Sequence, residues 1–204
     1  MIESLTTFSQ LNACDLADVL PRSQVLDRAI APLLPTMPRI LGPAYTVHCP
    51  TGDNLMMHAA IYAAQPGSII VARSEDGLSA MVGGNVCAMA QQRGIVGLVI
   101  DGVVRDLSEI RELGFPVYAR GLCPKPAAKK QPGPVTPTVD CGGVDISPGD
   151  LVLADEEGVV ALPKNEAAQL LQEAQEKADR AAATPLADWA AKHQQVIAKA
   201  MGDD

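Results

Sequence analysis

Gly94-Ile95-Val96-Gly97-Leu98-Val99-Ile100-Asp101-Gly102-Val103-Val104-Arg105-Asp106-Leu107-Ser108-Glu109-Ile110 is the stretch from which the rest of this chain can be read. Residues 95–100 form an apolar, β-branched run, too short for a helix and flanked by glycines, which predicts a strand buried on both faces. On this reading the strand stops at Asp101, Gly102 turns the backbone sharply, and a helix starts near Leu107. Arg105 and Asp106 then stand as a fixed cation and a carboxylate at the carboxyl end of a buried strand, where open α/β sheets keep their ligands.

Those residues also have a purely architectural reading. Asp106 can cap the helix, with Glu109 three residues on as in a capping box, and Arg105 can pair with Asp101 or a surface carboxylate. The wider pattern favours a site. Gly83-Gly84-Asn85-Val86 opens a predicted helix, with twenty residues between Gly84 and Arg105, and the free backbone N–H groups of a helix start suit a carboxylate.

Outward from this centre, turn, helix and strand alternate. Pro50-Thr51-Gly52-Asp53-Asn54 reads as a turn in which Asp53 or Asn54 caps a helix over 55–65. His58 lies one turn into it and, as a lone helical histidine near an apolar face, reads as packing; His48 has no partner at metal-binding spacing. Strands are predicted over 44–49, 68–73, 95–100 and 117–118 and helices over 84–94 and 107–113, an alternation that implies parallel strands with helical crossovers. Before them, residues 9–20 read as a helix with Leu11, Leu16, Val19 and Leu20 roughly on one face, ended by Pro21. Pro32, Pro35 and Pro38 forbid regular helix over 21–39 and suggest an extended segment wrapping onto a neighbouring subunit.

After Gly121 the character changes. Residues 123–137 hold five prolines and three lysines and read as a long loop. Short runs at 135–139, 144–146, 151–154 and 159–162, separated by Gly-Gly and Pro-Gly-Asp turns, read as antiparallel strands. Helices over 164–183 and 186–201 finish the chain, and the stripe Leu170, Leu171, Ala174 fits an oligomer contact. The domain reading is one β/β/α catalytic domain over 1–163 and a C-terminal helical extension over 164–204.

Composition sets further bounds. The 204 residues are 48% hydrophobic but only 3% aromatic, enough for one sizeable core of aliphatic side chains with little surface for base stacking. A net charge of −8 repels phosphate backbones; the only basic cluster is Lys125, Lys129 and Lys130, so no nucleic-acid partner is expected. Five scattered cysteines without a C-x-x-C argue for buried thiols in a reducing compartment, not a disulfide framework or zinc site. Residues 1–10 lack the features of a leader, and no run reaches membrane-spanning length, so the expectation is a cytoplasmic protein without a membrane partner.

Several motifs together resemble the 4-hydroxy-4-methyl-2-oxoglutarate aldolase family, which also holds the regulator of ribonuclease activity A. They are the glycine helix start at Gly83-Gly84, Arg93-Gly94, Val99-Ile100-Asp101-Gly102, Arg105-Asp106-x-x-Glu109 and Phe115-Pro116-Val117. Gly52-Asp53-Asn54-Leu55 with His58, Ala119-Arg120-Gly121, Pro148-Gly149-Asp150-Leu151-Val152 with Asp155, and Gly158-Val159-Val160 agree with them, so the resemblance covers about residues 10–165. It sharpens the mixed β/α pattern to a three-layer β/β/α sandwich of the swivelling-domain type, a mixed sheet with C-terminal helices, assembled as a homotrimer or homohexamer with sites between subunits.

The resemblance also implies a chemistry. Cleaving a carbon–carbon bond beside a 2-oxo acid leaves an enolate, which a chelated Mg²⁺ or Mn²⁺ stabilises as a Lewis acid. Asp106 would anchor that cation. Arg105 would hold the 2-oxo acid and offset the developing charge. The N–H groups at Gly83, Gly84, Asn85 and Val86 would bind the pyruvyl carboxylate, and Asp101 would orient Arg105 or a water. The implied activity is metal-dependent cleavage of a 4-hydroxy-2-oxo diacid to pyruvate, with oxaloacetate decarboxylation sharing the same enolate. One departure stands out: active aldolases of the family usually carry Asp or Glu at the position of Gly84, and Asn85 cannot serve as acid or base. The alternative is a non-catalytic regulator of the ribonuclease-activity type, whose members typically lose the carboxylate after the arginine; Asp106 argues against it. A dinucleotide-binding enzyme or methyltransferase lacks its G-x-G-x-x-G after any predicted strand.

Overall fold

The computed structural model describes residues 6–8 and 10–202. Ser9, where the first helix was expected to begin, and Met1–Leu5, half of the stretch read for a leader, lie outside the described residues. Four strands form the predicted parallel core: β2 (Ile40–Cys49), β3 (Ile69–Ser74), β4 (Gly97–Val104) and β5 (Val117–Leu122). Helices α2 (Leu55–Ala63), α3 (Gly84–Gln92) and α4 (Leu107–Leu113) are their crossovers. A two-residue β1 (Ala31–Pro32) adds antiparallel to β5, and the hairpin β8 (Leu151–Asp155)–β9 (Gly158–Leu162) adds antiparallel to β2. The mixed seven-stranded sheet therefore runs β1-β5-β4-β3-β2-β8-β9. A separate hairpin, β6 (Val139–Cys141) and β7 (Val144–Ile146), lies against β2 and β3. It covers the sheet face that carries Arg73 and Asp101, whose neighbours in it are Asp140 and Gly142.

β2 is longer than its apolar pattern predicts because it serves two partners. Residues 40–43 pair with β8 and residues 44–49 with β3. Pro43, which has no N–H to give, stands where the strand changes partner. The proline-bearing segment 21–39 is without regular helix beyond one 3-10 turn, and within its own chain it meets the sheet edge: Ala31 and Pro32 pair with Ala119 and Tyr118. Tyr118 is fully buried, and its hydroxyl reaches both Pro38 O (2.9 Å) and Ala154 O (3.1 Å), tying that segment to β5 and β8.

The largest correction concerns β4, which does not stop at Asp101 but continues to Val104. Gly102 makes no sharp turn. It is glycine because a Cβ there would stand 2.9 Å from the Ser74 Cβ on the neighbouring strand. The first helix is also shorter than expected, α1 (Ala13–Ala17), because a reciprocal capping box sets its start: the Asn12 side chain accepts the Asp15 N–H and Asp15 accepts the Asn12 N–H.

Two apolar cores result. The larger lies between the central strands, α2, α3 and the β6–β7 hairpin. The smaller joins β8 and β9 to α1 and to α5 (Ala167–Ala182) through Leu16, Leu153, Leu162, Leu171 and Ala174. Leu171 and Ala174, read from the sequence as part of an oligomer face, are thus consumed inside the chain. The second C-terminal helix, α6 (Leu186–Met201), has the expected bounds and buries no residue, leaving Leu186, Trp189, Val196, Ile197 and Met201 exposed. All five cysteines are free. Cys49, Cys87 and Cys141 are buried as expected, whereas Cys14 is exposed and Cys123 half-buried. Burial pushes the Cys49 thiol up to about 11 and those of Cys87 and Cys141 up to about 12, so these three are inert at neutral pH. Among the described residues no helix is long and apolar enough to cross a membrane.

Tyr118→Phe leaves the buried Ala154 carbonyl and the part-buried Pro38 carbonyl without their shared hydroxyl. The expected loss is about 1–2 kcal/mol of unfolding free energy, seen as a lower urea midpoint at unchanged slope.

Candidate active site

β4 ends at Val104, and the chain passes Arg105 and enters α4 through Asp106, whose backbone is left-handed (φ 60°, ψ 44°). Asp106 and Thr136 are the non-glycine residues with positive φ among those described. Asp tolerates this region better than most residues, and such positions cluster at functional sites. Asp106 occupies the N-cap position of α4, yet its side chain makes no cap bond. The capping reading fails because the left-handed turn aims the carboxylate away from its own helix and at the start of α3. There Asp106 Oδ2 accepts the Gly84 N–H at 3.2 Å, with Arg105 Nε 3.5 Å away.

The glycine pair follows from this approach. A Cβ at Gly83 would collide with the Asp106 carboxylate, and one at Gly84 would lie 2.6 Å from the Glu109 Cβ and overlap its carboxylate. Glu109 thus fills the space that a side chain at position 84 would take, in place of the capping-box bond expected of it. The amides of this helix start are not all free. Gly84 serves Asp106 and the Val86 N–H bonds Gly83 O, while the Asn85 N–H has no partner among the described residues.

Gly83, Asn85, Val86, Arg105 and Asp106, five of the six residues singled out from sequence, line one open cavity of about 80 Å³; Gly84 adjoins it through its bond to Asp106. Asp101 is not part of it. Still inside the β4 ladder, it bonds Arg120 Nε and accepts the Gly142 N–H at 2.7 Å, so it does not orient Arg105. Arg120 also pairs with Asp27 at 2.8 Å.

Three polar lining residues escaped the sequence reading as site residues: Asn54, His58 and Lys129. His58 was read as packing and Asn54 as a cap, but the Asn54 side chain makes no cap bond to α2. The four-residue spacing of Asn54 and His58, one helical turn, was the available signal. Burial, and then the nearby charge of Lys129, hold the His58 pKa below its ordinary value, so the imidazole is neutral at pH 7. Asp53 does the capping instead: Oδ1 accepts the Leu55 N–H, and Oδ2 accepts those of Lys130 and Gln131. Burial pushes the Asp53 carboxyl up, but these three bonds outweigh it and keep the pKa below the usual range.

The donor set fits a hard, hydrated cation. Asp106 Oδ1 is free of hydrogen-bond partners among the described residues, and Asn54 Oδ1 is a buried acceptor without one. No cluster of three or more His, Cys, Asp or Glu able to hold a metal occurs among the described residues. One carboxylate with water and ligand oxygens is how Mg²⁺ is usually held.

Comparison with known proteins bears on the family and the fold. A model of the RraA-like family, described as Aldolase/RraA, matches residues 13–161. A Halalkalibacterium halodurans protein named "Putative 4-hydroxy-4-methyl-2-oxoglutarate aldolase" is 36% identical over 177 residues, covering 86% of this chain and 84% of its own. A Thermus thermophilus protein named 4-hydroxy-4-methyl-2-oxoglutarate aldolase is 33% identical over 113 residues, 55% of this chain and 69% of its own. The solved structure of the RNA-processing inhibitor RraA from Thermus thermophilus superposes with a TM-score of 0.69 at 29% identity, covering 76% of this chain and 94% of that one.

Gly83→Ala should force the Asp106 carboxylate off the Gly84 N–H. The expected outcome is a folded protein destabilised by about 1–3 kcal/mol, in which the Gly84 amide exchanges with deuterium markedly faster than in the wild type.

Proposed function

The chain belongs to the RraA-like family, and we propose that it is a divalent-metal-dependent lyase that cleaves a 4-hydroxy-2-oxo diacid to pyruvate, with oxaloacetate decarboxylation open to the same site. The observation that carries this reading is the Arg105–Asp106 pair, held beside the free Asn85 N–H at the wall of a cavity. Relatives that carry the aldolase name support it.

Asp106 would hold Mg²⁺ or Mn²⁺ through the oxygen it does not spend on Gly84. When bound, such a cation supplies Lewis acidity to the keto oxygen of a chelated 2-oxo acid. Arg105 holds the 2-oxo acid and offsets the negative charge that builds on that oxygen as the carbon–carbon bond breaks; its charge is permanent, so it does so at any working pH. The Asn85 N–H bonds the substrate carboxylate at the positive end of α3. Cleavage must take the proton from the 4-hydroxyl and return one to the enolate carbon; neither Gly84 nor Asn85 can act as acid or base, so a water in the cavity would take the first proton and give the second. We also propose that the protein acts in the cytoplasm as a homotrimer or homohexamer, the exposed apolar stripe of α6 being a surface an assembly would cover. Its solution mass by light scattering should then be three or six chain masses, and a monomer would refute the assembly.

The test is pyruvate release from a panel of 2-oxo diacids with and without EDTA. Chelation should stop turnover, and added Mg²⁺ or Mn²⁺ should restore it. Asp106→Asn keeps a side chain that tolerates the left-handed backbone and still offers an acceptor to Gly84, so it should fold normally. It should lose about 10³-fold or more in kcat/KM, and Arg105→Ala should lose nearly as much. Full activity in Asp106→Asn would remove the lyase reading and leave a non-catalytic binding protein.

A further inference from the structure

We propose that Lys129, with His58 beside it, forms a second anion subsite in this cavity, one that takes the distal carboxylate of a diacid whose 2-oxo end is held by Arg105. The assignment rests on the lyase reading above and adds the residues that distinguish a diacid from a monoacid.

Two cations line the cavity, Arg105 and Lys129. Arg105 has the Asp106 carboxylate 3.5 Å away. Lys129 has no ion-pair partner among the described residues. Its charge reaches the Asp53 carboxylate, whose oxygens are taken up by the N–H groups of Leu55, Lys130 and Gln131; in a chain of net charge −8, a cation without a direct ion pair at a concave surface marks a place for an anion. The two cations are carried by different parts of the chain: Arg105 follows β4, and Lys129 lies in the loop between β5 and β6. Lys129 is the charge that acts on His58, and neither Arg105 nor Asp106 does. His58, kept neutral, adds a hydrogen-bond donor next to Lys129 without adding charge.

Asn54 points to a ligand independently. It is 5% exposed, its Nδ2 donates to Met81 O at 2.8 Å, and its Oδ1 is buried without a partner. A buried acceptor left unpaired is costly. At the wall of this cavity it suits the hydroxyl that the substrate class carries between its two acid ends.

Lys129 lies in the proline-rich loop, yet its backbone is fixed. Asp53, 1% exposed, accepts the N–H groups of Lys130 at 2.7 Å and Gln131 at 3.2 Å. On the other side the Asn54 N–H donates to Ala128 O and the Ala128 N–H to Gly52 O, both at 2.8 Å. These four bonds hold residues 128–131 to the start of α2. Asp53 is therefore a positioning residue for Lys129, a use of its second oxygen that a helix cap does not require.

The experiment is calorimetric binding of 2-oxoglutarate and 2-oxopentanoate at millimolar Mg²⁺. The two acids are equal in chain length and differ in the distal carboxylate, and neither has the hydroxyl needed for cleavage. Wild type should bind the diacid about five- to tenfold tighter. Lys129→Gln, an exposed and structurally mild change, should bring the ratio to about one while leaving 2-oxopentanoate affinity unaltered. Asp53→Asn should erode the ratio in the same direction without weakening the monoacid, which a general loss of stability would not do. Lys192→Gln, which removes the same charge from α6, should keep the wild-type ratio. An unchanged ratio in Lys129→Gln, or equal binding of both acids by wild type, overturns the subsite and leaves the lyase reading standing. Failure of wild type to bind either acid removes both.

Discussion

One hydrogen bond, from the Gly84 N–H to the Asp106 carboxylate, joins the end of β4 to the start of α3, and the candidate site is arranged around it. The bond goes with a left-handed Asp106, because an N-cap residue in the usual extended conformation turns its side chain back onto its own helix. It also requires glycine at 83, since a Cβ would occupy the carboxylate's place. With those conditions met, Arg105 and Asp106 stand together at the wall of a cavity, and one oxygen of Asp106 remains uncommitted. The bond is also the strongest argument against reading these residues as a helix cap and its surface partner.

The chain's excess of acid is spent in the same way elsewhere. Asp155 accepts the Ala13 N–H at 2.7 Å and so seats α1 on the β8–β9 turn, while Asp150 accepts the N–H groups of Ser147 and Lys164. Asp101 holds Gly142 in the β6–β7 hairpin, and Asp53 clamps the proline-rich loop. Hydrogen bonds to an ionised acceptor are roughly twice as strong as neutral ones. Most of these bonds link segments far apart in the chain, so carboxylates fasten loops that the aliphatic core cannot reach. Among the acids of the shared motifs, Asp53, Asp101, Asp150 and Asp155 have this architectural task. Asp106 differs because its carboxylate is also open to the cavity.

The cavity is therefore bounded by pieces of unlike origin. α2 supplies Asn54 and His58, α3 the glycine helix start, the end of β4 the guanidinium and carboxylate, and a loop the second cation. Each wall is rigid for a separate reason: helix packing, ladder pairing, or a buried aspartate. That preorganisation is what a site needs if charge is to be stabilised where it develops, without rearrangement during the reaction.

Much of this was legible in the residues alone. Period-two and apolar runs located the four parallel strands, the turn glycines and prolines located the crossovers, and the bounds of α4 and α6 were read to the residue, because those signals are local. Adjacency in the chain likewise brought Arg105 and Asp106 forward together. The structure decided what local pattern does not encode. β4 runs on past an aspartate because its pairing with β5 resumes at Val103 and Val104 and outweighs the polarity of one side chain, and Gly102 answers to Ser74 on another strand. Asp101 belongs to Arg120 and Gly142, and Leu171 and Ala174 to the chain's own second core. His58 and Lys129 meet at one cavity although seventy-one positions separate them. Such pairings arise only when the sheet closes and a buried carboxylate pulls a distant loop against a helix start, a contact that no window of the sequence contains.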